Sequence, residues 1–102
     1  MAYEEIITAL ADPTRRAVLE ALRKGPLSVA ALAKNQPVSR PAISQHLRVL
    51  ELAGLVSATP QGNQRIYAIR RDGLAELRTY LNGFWNEALA AYSAEIQRRF
   101  GN

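Results

Sequence analysis

Ser39, Arg40, Ser44, Gln45, His46 and Arg48 place six hydrogen-bonding or cationic side chains within ten residues. Hydroxyl, carboxamide and guanidinium groups can meet phosphate oxygens or the edges of base pairs, and an arginine fork can grip guanine or phosphate in a bidentate way. The competing reading is an ordinary amphipathic helix with a solvated face, and spacing alone does not separate the two. Chemistry of other kinds has little to work with. The chain has no cysteine, a single histidine and dispersed carboxylates, so no nucleophile–base pair is evident. No glycine-rich phosphate loop occurs, and one imidazole without neighbouring ligands makes no metal site. No enzyme activity, cofactor or metal is therefore expected.

The polar residues need a rigid element, and the stretch V-S-R-P-A-I-S-Q-H-L-R-V-L-E-L-A-G-L-V (38–56) supplies one. Ser39 is placed to cap a helix over 40–53, Pro41 is tolerated in its first turn, and Val38 with Ile43 fits a hydrophobic staple. Gly54 suits the left-handed residue that stops it. At helical spacing Ile43, Leu47 and Leu50 share one side, and Pro41, Ser44, Gln45 and Arg48 share the other. His46 falls on the flank between them, where it either donates to a phosphate or caps the core. Leu52 lies towards the polar side and has no account beyond the ordinary scatter of surface apolar residues.

Upstream, Tyr3, Ile6, Ile7 and Leu10 form a short apolar stripe. Asp12-Pro13 reads as a cap and first residue of a second helix, with Val18, Leu19 and Leu22 inward and Gly25-Pro26 as its end. Arg15 and Arg16, near its start, are expected in structural ion pairs. Ser28 caps a third helix over 28–34, broken by Asn35-Gln36-Pro37. Two short helices joined by a tight polar connection make a helix-turn-helix, whose second helix enters a major groove. Beyond Val56 the period changes to two. Strands over 57–59 and 65–69 flank turn residues 60–63, giving a hairpin, or wing, with Arg65 near its tip.

From Asp72 to Phe100 the pattern is helical again, either continuous or folded back at Asn82-Gly83. Leu74, Leu77, Leu81, Phe84, Trp85, Ala88, Leu89, Tyr92 and Ile96 are more apolar surface than a small core covers, which marks an interface. A homodimer is expected, with Ile6, Ile7, Leu10, Leu81, Phe84, Trp85, Leu89 and Tyr92 in the seam.

Charge and composition agree with this plan. The net charge is +4, and residues 34–71 hold Lys34, Arg40, Arg48, Arg65, Arg70 and Arg71 against Glu51 alone. A localised basic patch suits a polyanion, nucleic acid above all. No apolar run approaches the roughly 20 residues that span a bilayer, and the N-terminus lacks a basic export region. A cytoplasmic protein without a membrane partner is expected.

The segments A-L-A-D-P-T-R-R-A-V-L-E-A-L, V-S-R-P-A-I-S-Q-H-L-R-V-L-E-L-A-G-L-V and G-N-Q-R-I-Y-A-I resemble the ArsR/SmtB family of bacterial winged helix-turn-helix repressors, over about residues 5 to 95. The resemblance implies a mainly α fold with a small β-hairpin (α+β), ordered α-α-α-α-β-β-α and dimeric through its terminal helices. It implies a single DNA-binding domain over 1–102, with residues 3–11 and 72–100 as dimerisation helices, and a repressor binding an inverted-repeat operator in double-stranded DNA. Carried over residue by residue, Ser39, Arg40, Ser44, Gln45, His46 and Arg48 match the reading helix, with Pro41 among them. Gln64 and Arg65 match the wing. The family's metal sites use a cysteine pair on the third helix, or Asp and His on the last; here the first is absent and the last helix has no His. Metal sensing is not expected, and the inducer is unspecified. The alternative function is a winged-helix protein-interaction module without specific DNA binding.

Overall fold

The computed structural model describes residues 2–101; Met1, Asn102 and the side chains of Ala2 and Tyr3, the last of which heads the expected N-terminal stripe, lie outside the described residues. Helix α1 (Ala2–Leu10) is followed by α2 (Pro13–Ala21), a 3-10 turn over Leu22–Lys24, and a short strand β1 (Leu27–Ser28). Then come α3 (Val29–Lys34), α4 (Arg40–Leu52), β2 (Val56–Gln61), β3 (Gln64–Ile69) and α5 (Arg71–Phe100).

Helix starts follow local chemistry. The Asp12 carboxylate accepts from the amides of Thr14 and Arg15 at 2.8 and 3.1 Å, with Pro13 as the first helical residue. Ser28 accepts from Ala31 at 3.1 Å and Ser39 from Ala42 at 3.3 Å. Helix α4 ends at Leu52, and the turn that follows passes through Gly54, which has φ +78°. There the Gly54 amide donates to the Glu51 carbonyl at 3.0 Å and the Leu55 amide to that of Leu50 at 2.9 Å, satisfying two terminal acceptors.

Among the described residues Arg15 and Arg16 form no salt bridge, contrary to the expected ion pairs. Arg15 Nε donates to the Ala9 carbonyl and an Arg16 Nη to that of Leu10, both at 2.7 Å. Helix α1 has no basic residue in its last turn. The two arginines of α2 supply the cationic donors that its unpaired C-terminal carbonyls need.

The sheet has one more strand than expected. Leu27 and Ser28 pair antiparallel with Tyr67 and Ile66, giving the order β1-β3-β2. Ser28 thus pairs through its backbone while its hydroxyl caps α3. The hairpin is also longer than 57–59 and 65–69. Pro60 faces Arg65 and Gln61 faces Gln64, which leaves Gly62 and Asn63 as the turn. Pro60 is tolerated because β2 is an edge strand, where a missing N–H need not interrupt a ladder.

Ile43, Leu47 and Leu50 of α4 are fully buried and meet Val18, Leu22, Leu32, Leu55, Val56 and Tyr67. Ile6 belongs to this core as well, at 1% exposure. It packs inside the monomer and has no surface to offer a partner, which corrects its place in the expected seam. Ile7 is 45% exposed, and Leu10 is partly buried against the core.

Helix α5 runs unbroken through Asn82-Gly83, so the chain does not fold back there. A glycine inside a helix costs only about 1 kcal/mol relative to alanine, too little to break thirty residues of helix. At 1.5 Å per residue α5 is about 45 Å long, and the molecule is correspondingly elongated, 67 × 25 × 23 Å. Leu74 and Leu77 pack on the core, whereas Leu81, Phe84, Trp85, Leu89, Tyr92, Ile96 and Phe100 are exposed. The start of α5 rests on the end of α4. The Arg70 amide donates to the Leu55 carbonyl at 2.8 Å, and a Cβ built on Gly73 would overlap the Gly54 carbonyl oxygen.

Candidate nucleic-acid interface

Burial of Ile43, Leu47 and Leu50 fixes the rotation of α4, so Arg40, Pro41, Ser44, Gln45 and Arg48 face outward and are exposed. Ser39 is exposed too, with its hydroxyl engaged in the cap. His46 is set back. It is half-buried and near enough to α2 for its charge to act on Asp12. The Asp12 carboxyl is held below its ordinary value, first by the Arg15 amide; desolvation opposes this, and the Thr14 amide, His46 and the Arg15 charge add to the lowering. This is the flank position, between the buried and the open face of α4.

The wing stands beside α4. Gln64 and Arg65 are exposed on β3. Between wing and helix lies a cleft of about 360 Å³, whose lining includes Arg40, Ser44, Asn63, Gln64, Arg65 and Tyr67. The structure thus brings Arg40 and Ser44 together with Gln64 and Arg65, whereas Pro41, Gln45 and Arg48 stand outside the cleft on the open face of α4. Arg65 Nη2 lies 3.8 Å from Glu51 Oε2, and its guanidinium carbon lies 6.0 Å from the Tyr67 ring centre.

Glu51, Tyr67 and Asn63 were not among the site residues expected from the sequence. Two signals pointed to Glu51 and Tyr67. Glu51 is the sole acid between residues 34 and 71, and Tyr67 follows Arg65 by two, the spacing of one strand face.

The 13 residues of α4 make a rod about 20 Å long and 10–12 Å across with its side chains. A B-form major groove is about 12 Å wide and admits such a rod. An outward row of Ser, Gln and Arg on a capped helix, flanked by a hairpin that carries Arg65, defines a winged helix-turn-helix DNA-binding protein. Among the described residues no three His, Cys, Asp or Glu side chains are grouped to hold a metal ion, and no helix is long and apolar enough to cross a membrane.

Comparison with known proteins agrees. The family model for bacterial regulatory proteins of the arsR family matches residues 12–58. The chain is 55% identical over 88 residues to the HTH-type transcriptional regulator Rv2034 of Mycobacterium tuberculosis, covering 86% of this chain and 82% of that one. It superposes on an ArsR-like transcriptional regulator from Rhodococcus sp. RHA1 with TM-score 0.79 and 30% identity, covering 96% and 92% of the two chains. The homodimeric winged helix-turn-helix DNA-binding domain Mb0332 from Mycobacterium bovis matches with TM-score 0.68 and 27% identity, over 86% and 82%. The chain belongs to the arsR family of bacterial regulatory proteins. It is a sequence-specific DNA-binding transcriptional regulator.

Proposed function

We propose that the chain works as a homodimeric repressor that lays two copies of α4 into successive major grooves of an inverted-repeat operator. Gln45 and Arg48, on the open face of α4, read base edges. Arg40, Ser44, Gln64 and Arg65, around the cleft, meet phosphate and fix the register, with Ser39 and Pro41 setting the start of the helix. Helices α1 and α5 form the seam, through Ile7, Leu10, Leu81, Phe84, Trp85, Leu89 and Tyr92.

The observation that carries the dimer is the free part of α5. Leu81, Phe84, Trp85, Leu89, Tyr92 and Ile96 follow helical spacing along one side, and each is at least 39% exposed. Aromatic and aliphatic surface of that extent is costly in water. A second α5 offers the matching surface, and an isologous pairing buries both copies at once. The homodimeric state stated for the Mycobacterium bovis domain supports the same arrangement. Repression follows where such a dimer occupies DNA that overlaps a promoter.

Selection of bound sequences from random duplex DNA tests the reading. The expected result is a two-fold symmetric consensus with half-site centres about 10 base pairs apart. A consensus made of one unrepeated half-site contradicts it.

A further inference from the structure

Glu51 stands where one electrostatic effect opposes a carboxylate and another favours it. It lies in the last turn of α4, the negative end of the helix dipole. It is also the one acid among the six basic residues of the 34–71 stretch. What compensates is Arg65: Oε2 of Glu51 and Nη2 of Arg65 are 3.8 Å apart across the gap between reading helix and wing. The Arg65 guanidinium carbon also lies 6.0 Å from the centre of the Tyr67 ring. Tyr67 is a core residue, 7% exposed. A guanidinium has five N–H donors in a rigid fork. A carboxylate beside one nitrogen and a fixed ring near the cation restrict its direction and leave donors free for another anion.

We propose that Glu51 is a positioning residue for DNA binding: it holds the Arg65 guanidinium between the end of the reading helix and the Tyr67 ring, so that the wing arginine meets a backbone phosphate already oriented. The proposal rests on the reading of Arg65 as a phosphate contact, and it makes a prediction opposite to simple repulsion. Removing an acid beside a polyanion site strengthens binding to any duplex. Removing a positioning acid weakens it. Both side chains are well exposed, at 59% for Arg65 and 39% for Glu51, so the effect is modest, about threefold in affinity.

The experiment is a titration of a selected operator duplex, followed by fluorescence anisotropy at several salt concentrations. The chains compared are wild type, Glu51→Gln, Arg65→Gln and the double variant. Glu51→Gln is expected to weaken operator binding about threefold when Arg65 is present and not to weaken it when Arg65 is Gln. Glu51→Asp, which keeps the charge but shortens the reach, is expected to behave as Glu51→Gln. Three results overturn the proposal: tightening in both backgrounds, equal weakening in both, or no change. Arg65→Gln reports separately on the reading beneath it. The logarithmic salt slope is expected to fall in magnitude by about 1.8, since each subunit of the dimer loses one phosphate contact worth about 0.9, and an unchanged slope removes Arg65 from phosphate whatever Glu51 does.

Discussion

Replacing Gly73 by alanine sets two opposed effects against each other. Gly73 lies in the first turn of α5, and alanine is favoured over glycine in a helix by about 1 kcal/mol. Reduced freedom of the unfolded chain acts in the same direction. Against this, the new methyl would overlap the Gly54 carbonyl oxygen and stand 2.8 Å from its carbon. The obstacle is backbone on both sides, so no side chain can swing away. Relief requires the start of α5 to move off the Gly54–Leu55 turn, where the Arg70 amide is bonded to the Leu55 carbonyl. Overpacking of this kind costs about 1–3 kcal/mol, and the rigid partner places it at the upper end. The net expectation is a loss of about 1–2 kcal/mol, the difference of the two effects. Each kcal/mol lowers the melting temperature of a domain this size by about 4–8 °C.

Thermal and urea unfolding at one fixed protein concentration measure the loss, since association of the folded chain also shifts apparent stability. Gly83→Ala is the control. It is the same substitution in the same helix, at an exposed site with nothing within 4 Å of the added carbon. There helix propensity acts alone, and a gain of about 0.5–1 kcal/mol is expected. A Gly73→Ala chain as stable as wild type, or more so, refutes the close approach of α5 to the end of the reading helix.

Arg48→Ala is expected to weaken operator binding by about 1–3 kcal/mol and random-duplex binding much less, as for a base-reading arginine; equal losses on both assign it to phosphate. Asp12→Ala is expected to lower the melting temperature at neutral pH. The folded pKa of Asp12 is lowered, so its charged form contributes stability above the ordinary carboxylate range, and that contribution is lost as pH falls through the lowered value. The difference between wild type and Asp12→Ala should therefore shrink in acid, and a gap that does not change with pH contradicts this account of the cap.

Much of the fold was legible because it is written in local chemistry. Asp12-Pro13, Ser28, Ser39 and Gly54 mark ends that depend on a few neighbouring residues. The Ile43-Leu47-Leu50 spacing fixes which side of α4 faces the core. The change of period after Val56 exposes the hairpin. What was missed depends on partners distant in sequence. Strand β1 has two residues, too few for any period to show, and exists because Tyr67 and Ile66 lie beside it. Arg15 and Arg16 were expected to seek acids, but the nearest unmet need was the carbonyl end of α1. Ile6 and Ile7 are equally apolar, and only the docking of α1 separates a core residue from a surface one. Gly73 gives no local sign at all, because the atom that excludes a side chain belongs to Gly54.

The same limit holds at the candidate interface. The type and spacing of Arg40, Ser44, Gln45 and Arg48 announced an outward polar face. That Arg65 lies beside Glu51 and near Tyr67 needed the wing placed against the helix.

The most direct test of the central idea is a distance between two reading helices. The natural chain has no cysteine, so Gln45→Cys gives one spin-label site per subunit on the exposed face of α4. Pulsed dipolar spectroscopy on the DNA-free protein is expected to give a single inter-label distance near 34 Å, about one turn of the duplex. An absence of dipolar coupling, or a distance far from one turn, contradicts a symmetric pair built to read adjacent major grooves.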